Sequence, residues 1–310
     1  MEQRALGATG IEVGEIGLGT WQLGGNELWG GPDEVESLAI VEAALAEGCT
    51  LFDTAPGYAG GGSETVLGKA LAGRRHEVVL CTKFGHTADG ATDFGVERLG
   101  PLLEDSFARL RTDYVDLFLL HNPPPELLRP EAPHWAALER LHDEGLIRAY
   151  GASVDWSADV DAAVAAGAQV LEVLLNAFHQ EPLPALRRAQ DAGVGVIVKV
   201  PLDSGWLSGK YRAGSSFEGV RDRWSDDVIA RRAELVERFE ALLPAGVATA
   251  QAALAFLLAQ APVSSVIPGA KSVAQLRDNL AAADEPLPAG TVAAIEQLWA
   301  GELAAEPLPW

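Results

Sequence analysis

Eight short runs of apolar and β-branched residues recur along this 310-residue chain, each followed by a stretch with apolar residues at three- and four-residue spacing. The runs fall at residues 16–19, 50–53, 78–82, 115–120, 147–152, 170–174, 194–200 and 265–267. The helical stretches fall at residues 34–47, 63–71, 100–110, 134–144, 158–166, 183–192, 248–260 and 272–282. Strands separated by helices pair in parallel, and eight such units predict an α/β fold, the (β/α)8 or TIM-type barrel. Gly48, Gly73, Gly145, Gly167 and Gly193 stand where a left-handed residue ends a helix.

Additions to the eight-fold plan are also legible. The segment RALGATGIEV reads as an N-terminal β-hairpin able to plug one mouth of the barrel, and residues 227–243 and 288–299 read as extra helices in the C-terminal half. Residues 201–226 form a long Gly- and Ser-containing loop, a length that compact domains usually keep for function. No linker or low-complexity tract intervenes, so residues 1–310 are expected to form one barrel domain.

Composition narrows the partners. Hydrophobic residues at 48% supply a large core, while a formal charge of −21 repels phosphate backbones and anionic lipid. Neither nucleic acid nor membrane is expected as a partner, because no Lys/Arg cluster offsets that charge. Residues 241–270 carry no charge, yet Pro244, Gly246 and Pro262 break them into pieces too short to span a bilayer. Cys49 and Cys81 lie in apolar segments and read as buried thiols, which, with no secretory pattern among the first residues, leads us to expect a cytoplasmic protein.

Active sites of such barrels form where the strands end, and here the ends are polar. The second to fifth runs finish at Asp53, Lys83, His121 and Ser153, and the first leads into Thr20 and Trp21. Charged side chains ending buried strands need partners in a small space, so these residues are expected to meet one another. Tyr58 follows Asp53 in DTAPGYAGGGSE, a Gly-rich loop free enough to turn the phenol over the mouth. If a hydride reaches a carbonyl carbon, the oxygen needs a proton donor, and a phenol beside a lysine is expected to be acidified for that task. Asp53 then holds Lys83, and His121 orients the carbonyl oxygen.

The segments GLGTWQLGG, LFDTAPGYAGGGSETVLGKAL, VLCTKFG, YVDLFLLHNP, GLIRAYGAS, VPLDSGWLSGKY and IPGAKSVAQLRDNL, in this order, resemble the aldo-keto reductase superfamily from about residue 6 to 287. The resemblance implies a catalytic tetrad of Asp53, Tyr58, Lys83 and His121, with Tyr58 the general acid. It implies NADP(H) as cofactor, with NAD(H) the alternative, and a small carbonyl or alcohol as substrate. Thr20, Trp21 and Ser153 are thereby placed at the nicotinamide end with Glu172 and Lys199 flanking it, Pro201 and Leu202 are counted among the cofactor-binding residues, and Lys210 is placed at the pyrophosphate. Gly269, Lys271, Gln275, Asp278 and Asn279 are placed at the adenosine phosphate, where PGAKS opens a helix whose amides favour anions. The chain departs from many relatives at Val154 (Asn), Glu172 (Gln) and Lys199 (an aromatic), and Gln275 replaces an arginine found in some. Glu172 and Lys199 are expected to pair and cancel each other's charge.

Other motifs carry less. The histidines His76, His86, His134, His142 and His179 lack metal-ligand spacing, and no metal site is expected. GLGTWQ has Gln22 where a dinucleotide fingerprint needs its third glycine. Trp21, Trp29, Trp206 and Trp224 either line an apolar substrate pocket or pack the loops, while Arg221 and Arg223 read as solvated surface charge. Two other functions are open to such a chain: a nucleotide sensor without catalysis, like the potassium-channel β subunits of this fold, and a Schiff-base aldolase acting through Lys83.

Overall fold

The computed structural model describes residues 1–25, 30–217 and 223–309. Trp29 and Arg221 therefore lie outside the described residues. A two-stranded hairpin, β1 (Gln3–Ala5) and β2 (Glu12–Gly14), precedes eight parallel strands. These are β3 (Leu18–Gly19), β4 (Leu51–Asp53), β5 (Val79–Phe84), β6 (Val115–His121), β7 (Ile147–Val154), β8 (Val170–Leu174), β9 (Gly195–Lys199) and β10 (Ser265–Val266). Each pairs with its sequence neighbour, from β3 through β10. The seam between β10 and β3 closes by bridges, Ile16 to Val266 and Gly19 to Gly269, so the sheet returns on itself as a barrel.

Helices α1 (Glu34–Ala46), α2 (Gly62–Ala70), α3 (Leu99–Leu110), α4 (Pro133–Asp143), α5 (Ser157–Ala165) and α6 (Leu183–Asp191) each connect one strand to the next. The long β9–β10 connection holds α7 (Asp226–Ala241) and α8 (Thr249–Leu258), and α9 (Val273–Leu280) and α10 (Ala289–Leu298) follow β10. The helix-closing glycines predicted from sequence, Gly48, Gly73, Gly145, Gly167 and Gly193, all adopt positive φ between 76° and 96°. Among the described residues, no helix is long and apolar enough to cross a membrane.

The barrel interior decides what the site can be. Strand side chains alternate between faces, and one buried cluster collects Leu51, Val79, Cys81, Leu117, Leu119, Ala149, Val170, Ile197 and Ile267 with Leu6, Ile11 and Val13 of the hairpin. The hairpin thus plugs the N-terminal mouth, as its sequence suggests. Two residues beyond these inward positions, on the same face of their strands, stand Asp53, Lys83, His121, Glu172 and Lys199. Period-two alternation brings these polar side chains into one layer above an apolar floor. At Gly151 a Cβ would lie 1.7 Å from the carbonyl oxygen of Val170, so only glycine lets β7 and β8 pair in the register that sets Ser153 opposite Glu172.

The loop after β9 is built around aromatic packing. Trp206 is fully buried and Trp224 7% exposed; Trp206 packs with Tyr211, Phe217 and Trp224, and Trp224 packs with Phe217 as well. For these two tryptophans the loop-packing alternative holds. Arg223 stacks its guanidinium 5.3 Å over the Trp224 ring. Beneath them, buried Arg232 of α7 pairs with buried Asp203 and donates at 2.8 Å to the carbonyl of Pro309, tying the C-terminal segment to this loop.

Candidate active site

Lys83 organises the polar layer. Its ammonium donates to Asp53 Oδ1 and Oδ2 at 2.7 and 2.6 Å and to the Thr54 carbonyl at 3.0 Å, and lies 3.2 Å from Glu172 Oε2. The Tyr58 hydroxyl is 3.4 Å away. Burial alone would neutralise the amine, but Asp53 and then Glu172 outweigh it and hold Lys83 charged, well above the usual lysine range. Asp53, Cys81 and Glu172 offer ligand atoms within 4.8 Å of one another, yet the Lys83 ammonium is bound to both carboxylates.

Tyr58 reaches this point because its loop winds left-handed. Ala59, Gly60 and Gly61 take φ of 51°, 60° and 85°, conformations that two glycines adopt without steric cost. Behind the turn, Ser63 Oγ lies 2.6 Å from Thr20 Oγ1 and 2.9 Å from Thr54 Oγ1, and buried Glu64 is held by Thr82 Oγ1 and by Arg109 at 2.6 Å. The Gly-rich loop is therefore anchored on both sides of the phenol. Trp21, 40% exposed, stacks on the Tyr58 ring with centroids 5.9 Å apart. His121 meets the same ring edge-on at 5.9 Å and His86 at 4.9 Å.

Two expectations need correction here. Glu172 and Lys199 do not pair: Glu172 turns to Lys83, and Lys199 binds Asn122 Oδ1 at 2.6 Å, Ser153 Oγ at 2.8 Å and Asp155 Oδ1 at 2.9 Å. The Ser153 hydroxyl, which donates to Glu172 Oε1 at 3.1 Å, stands between them. The physical reason is the register of the barrel, which sets Leu174 rather than Glu172 opposite Lys199. Nor is the phenol acidified. Burial raises Tyr58 above the ordinary tyrosine range, and Lys83 only partly opposes that rise.

The remaining electrostatics follow from the same crowding. Burial, then Lys83 and Lys199, drive His121 well below the usual histidine range, so its ring is neutral near pH 7. Burial, then Glu172, push the Asp53 carboxyl up to about 8. In Glu172 the cost of burial is outweighed by Lys83 and Lys199, and its carboxyl is lowered.

A second group of residues gathers at α9, across the β3–β10 seam. Ser272 caps the helix by accepting from Gln275 N at 3.2 Å, and Gln275 Oε1 accepts from Lys271 N at 2.9 Å. Asn279, buried, donates to the Gly269 carbonyl at 3.2 Å, and the Asp278 carbonyl accepts from Gln251. A Cβ at Gly269 would meet Gln22 Oε1 at 2.1 Å. Pro201 and Leu202 turn the chain away from β9, and Lys210 lies further along, its ammonium 4.8 Å above the Tyr211 ring. The fold thus gathers Asp53, Tyr58, Lys83, His121, Ser153, Glu172 and Lys199 at the mouth and the α9 residues beside it.

Asn122 and Asp155 were missed from sequence. Both immediately follow or nearly follow a strand end, and Asn122 takes φ 47°, a conformation that asparagine tolerates better than most residues. That position was the available signal.

These residues suit a nicotinamide dinucleotide. Among the described residues, buried His121 Nδ1 has no hydrogen-bond partner, leaving polar capacity at the mouth, and the capped end of α9 with Lys271 suits an anion.

The sequence model of the Aldo/keto reductase family matches residues 15–300. Aldo-keto reductase YhdN of Bacillus subtilis is 37% identical over 226 residues, covering 71% of this chain and 67% of its own. The NADH-specific methylglyoxal reductase of Escherichia coli is 30% identical, covering 91% and 93%. Among solved structures, the holo form of aldo-keto reductase AKR11C1 from Bacillus halodurans superposes with a TM-score of 0.82 at 28% identity, covering 96% of both chains. The chain belongs to the aldo/keto reductase family of oxidoreductases.

Proposed function

We propose that this protein reduces a small aldehyde, ketone or sugar-like carbonyl to an alcohol, reversibly, with Tyr58 as general acid and NADPH as hydride donor. The observation that carries the reading is the Tyr58 hydroxyl, 3.4 Å from the charged Lys83 ammonium and beside the neutral His121 ring. When bound, the reduced nicotinamide supplies the hydride. The residues of the chain do the rest. Neutral His121 donates a hydrogen bond to the substrate oxygen and fixes its direction. Tyr58 gives that oxygen its proton as negative charge grows there, and Lys83, already charged, stabilises the phenolate that remains. Asp53 holds the ammonium in place.

Ser153, Glu172, Thr20 and Trp21 would hold the nicotinamide end and Lys271, Gln275 and Asn279 the adenosine phosphate. Lys271 favours the phosphate-bearing cofactor, and the name of the Escherichia coli relative keeps NADH as the second candidate. The test follows cofactor absorbance with NADPH and NADH over a panel of aldehydes and ketones that includes methylglyoxal. Steady consumption with at least one carbonyl is expected. Tight cofactor binding with no turnover would describe a nucleotide sensor, and borohydride trapping of a substrate on Lys83 would describe an aldolase.

A further inference from the structure

Two carboxylates converge on one ammonium in this site. Asp53 from β4 and Glu172 from β8 reach Lys83 at 2.6 and 3.2 Å, with side chains 4% and 2% exposed. The second lysine restores the balance only in part, because Lys199 lowers Glu172 through space but pairs directly with Asp155 and touches Glu172 only through the Ser153 hydroxyl. The other groups around the pair are the Cys81 thiol, the Tyr58 phenol and the His121 ring. All three are neutral, since burial raises the thiol and the phenol and lowers the imidazole. With both acids ionised, the pocket would hold a surplus negative charge where water cannot spread it. One proton shared by the two acids removes the surplus, and Asp53, pushed up to about 8, retains it at neutral pH.

We propose that Asp53 and Glu172 form a one-proton store that an oxidised nicotinamide cofactor discharges on binding and a reduced one leaves filled. This rests on reading the strand ends as the nicotinamide site. On binding of the oxidised cofactor, the shared carboxyl O–H bond breaks, the proton passes to solvent, and the pair then carries two negative charges to balance Lys83 and the positive ring. No electron moves. A neutral amide at position 172 would leave Asp53 and Lys83 balanced, with nothing to store. The stored proton also has a use during reduction. Lys83 lies within reach of both Asp53 and Tyr58, so the ammonium can give a proton to the Tyr58 phenolate and be recharged from the pair.

The test is isothermal titration calorimetry of the whole protein with NADP⁺ and with NADPH, each at pH 7 in two buffers of different ionisation enthalpy. Both ligands carry the same phosphates, so the difference in protons exchanged reports the ring alone. About one proton more should be released by NADP⁺ than by NADPH. Between pH 6 and 7.5 the NADP⁺ dissociation constant should fall about tenfold per pH unit relative to that of NADPH. In Glu172→Gln both ligands should still bind and the difference should vanish. Equal proton counts in the unaltered protein overturn the proposal, and so does a difference that survives in Glu172→Gln, which would place the proton on Tyr58. If neither these ligands nor NAD⁺ and NADH bind, the reading of the site itself fails.

Discussion

Glu172 reaches the Lys83 ammonium at 3.2 Å from across the barrel, although β5 and β8 are separated by two strands. The contact makes Lys83 answer to two acids, and it ties proton balance in the site to the stability of the fold.

Removing the surplus acid should stabilise the protein, most of all in alkali. The folded chain holds a proton on Asp53 up to about pH 8, whereas an exposed aspartate releases it near its ordinary value of 3.8. The folded state thus binds more protons across that window, so its stability falls as pH rises through it. Burial is the larger cause of this loss, and Glu172→Gln removes the second, the repulsion between the two acids. Its melting temperature should exceed that of the unaltered protein by at least about 2 °C at pH 9, with a smaller gap at pH 6. Thermal unfolding followed at both pH values checks this.

Gly151→Ala should act through register. Its Cβ would collide with the Val170 backbone oxygen, which cannot swing aside as a side chain can. A loss of about 1–3 kcal/mol or more is expected from such overpacking. Denaturant unfolding measures the loss, and an unchanged midpoint would mean that the strands can shift without cost.

The periodic elements of this fold were legible because they rest on spacing alone. All eight barrel runs became strands, and the alternation that buries Val79 and Cys81 inward also delivers Lys83 to the mouth. The partner choices of Glu172 and Lys199 were not legible, since they depend on the stagger between neighbouring strands, which no single strand encodes. The acidity of Tyr58 was misjudged for a related reason. Proximity to Lys83 can be read from chemistry, but the depth of burial that outweighs it belongs to the assembled loop.

Cofactor choice is expected to depend on Lys271 at the start of α9. Lys271→Ala should weaken NADPH binding by about 1–3 kcal/mol, the range for a charge-assisted hydrogen bond, and leave NADH nearly unaffected. Fluorescence titration with both cofactors decides it. Equal weakening would mean that Lys271 does not read the ribose phosphate.

His121 gives a prediction for pH. Burial, with Lys83 and Lys199, holds its ring well below the usual histidine range, so it stays neutral as pH falls from 8 to 6. The profile of kcat/KM for carbonyl reduction should therefore show no histidine limb between about pH 6 and 8, where an unperturbed histidine titrates. A fall in activity centred near 6.5 that disappears in His121→Asn would show that the ring is protonated in the working enzyme.

The most direct measurement is single-turnover reduction of an aldehyde identified by the carbonyl panel, with NADPH in excess, comparing the unaltered protein with Tyr58→Phe. Only a hydroxyl is removed, so cofactor affinity should stay within a few-fold and the melting temperature should hold. The rate of NADPH oxidation should fall by about 10²-fold or more, the size of a general-acid contribution. A Tyr58→Phe protein that binds NADPH normally and oxidises it at an undiminished rate would contradict the assignment of Tyr58 as the proton donor.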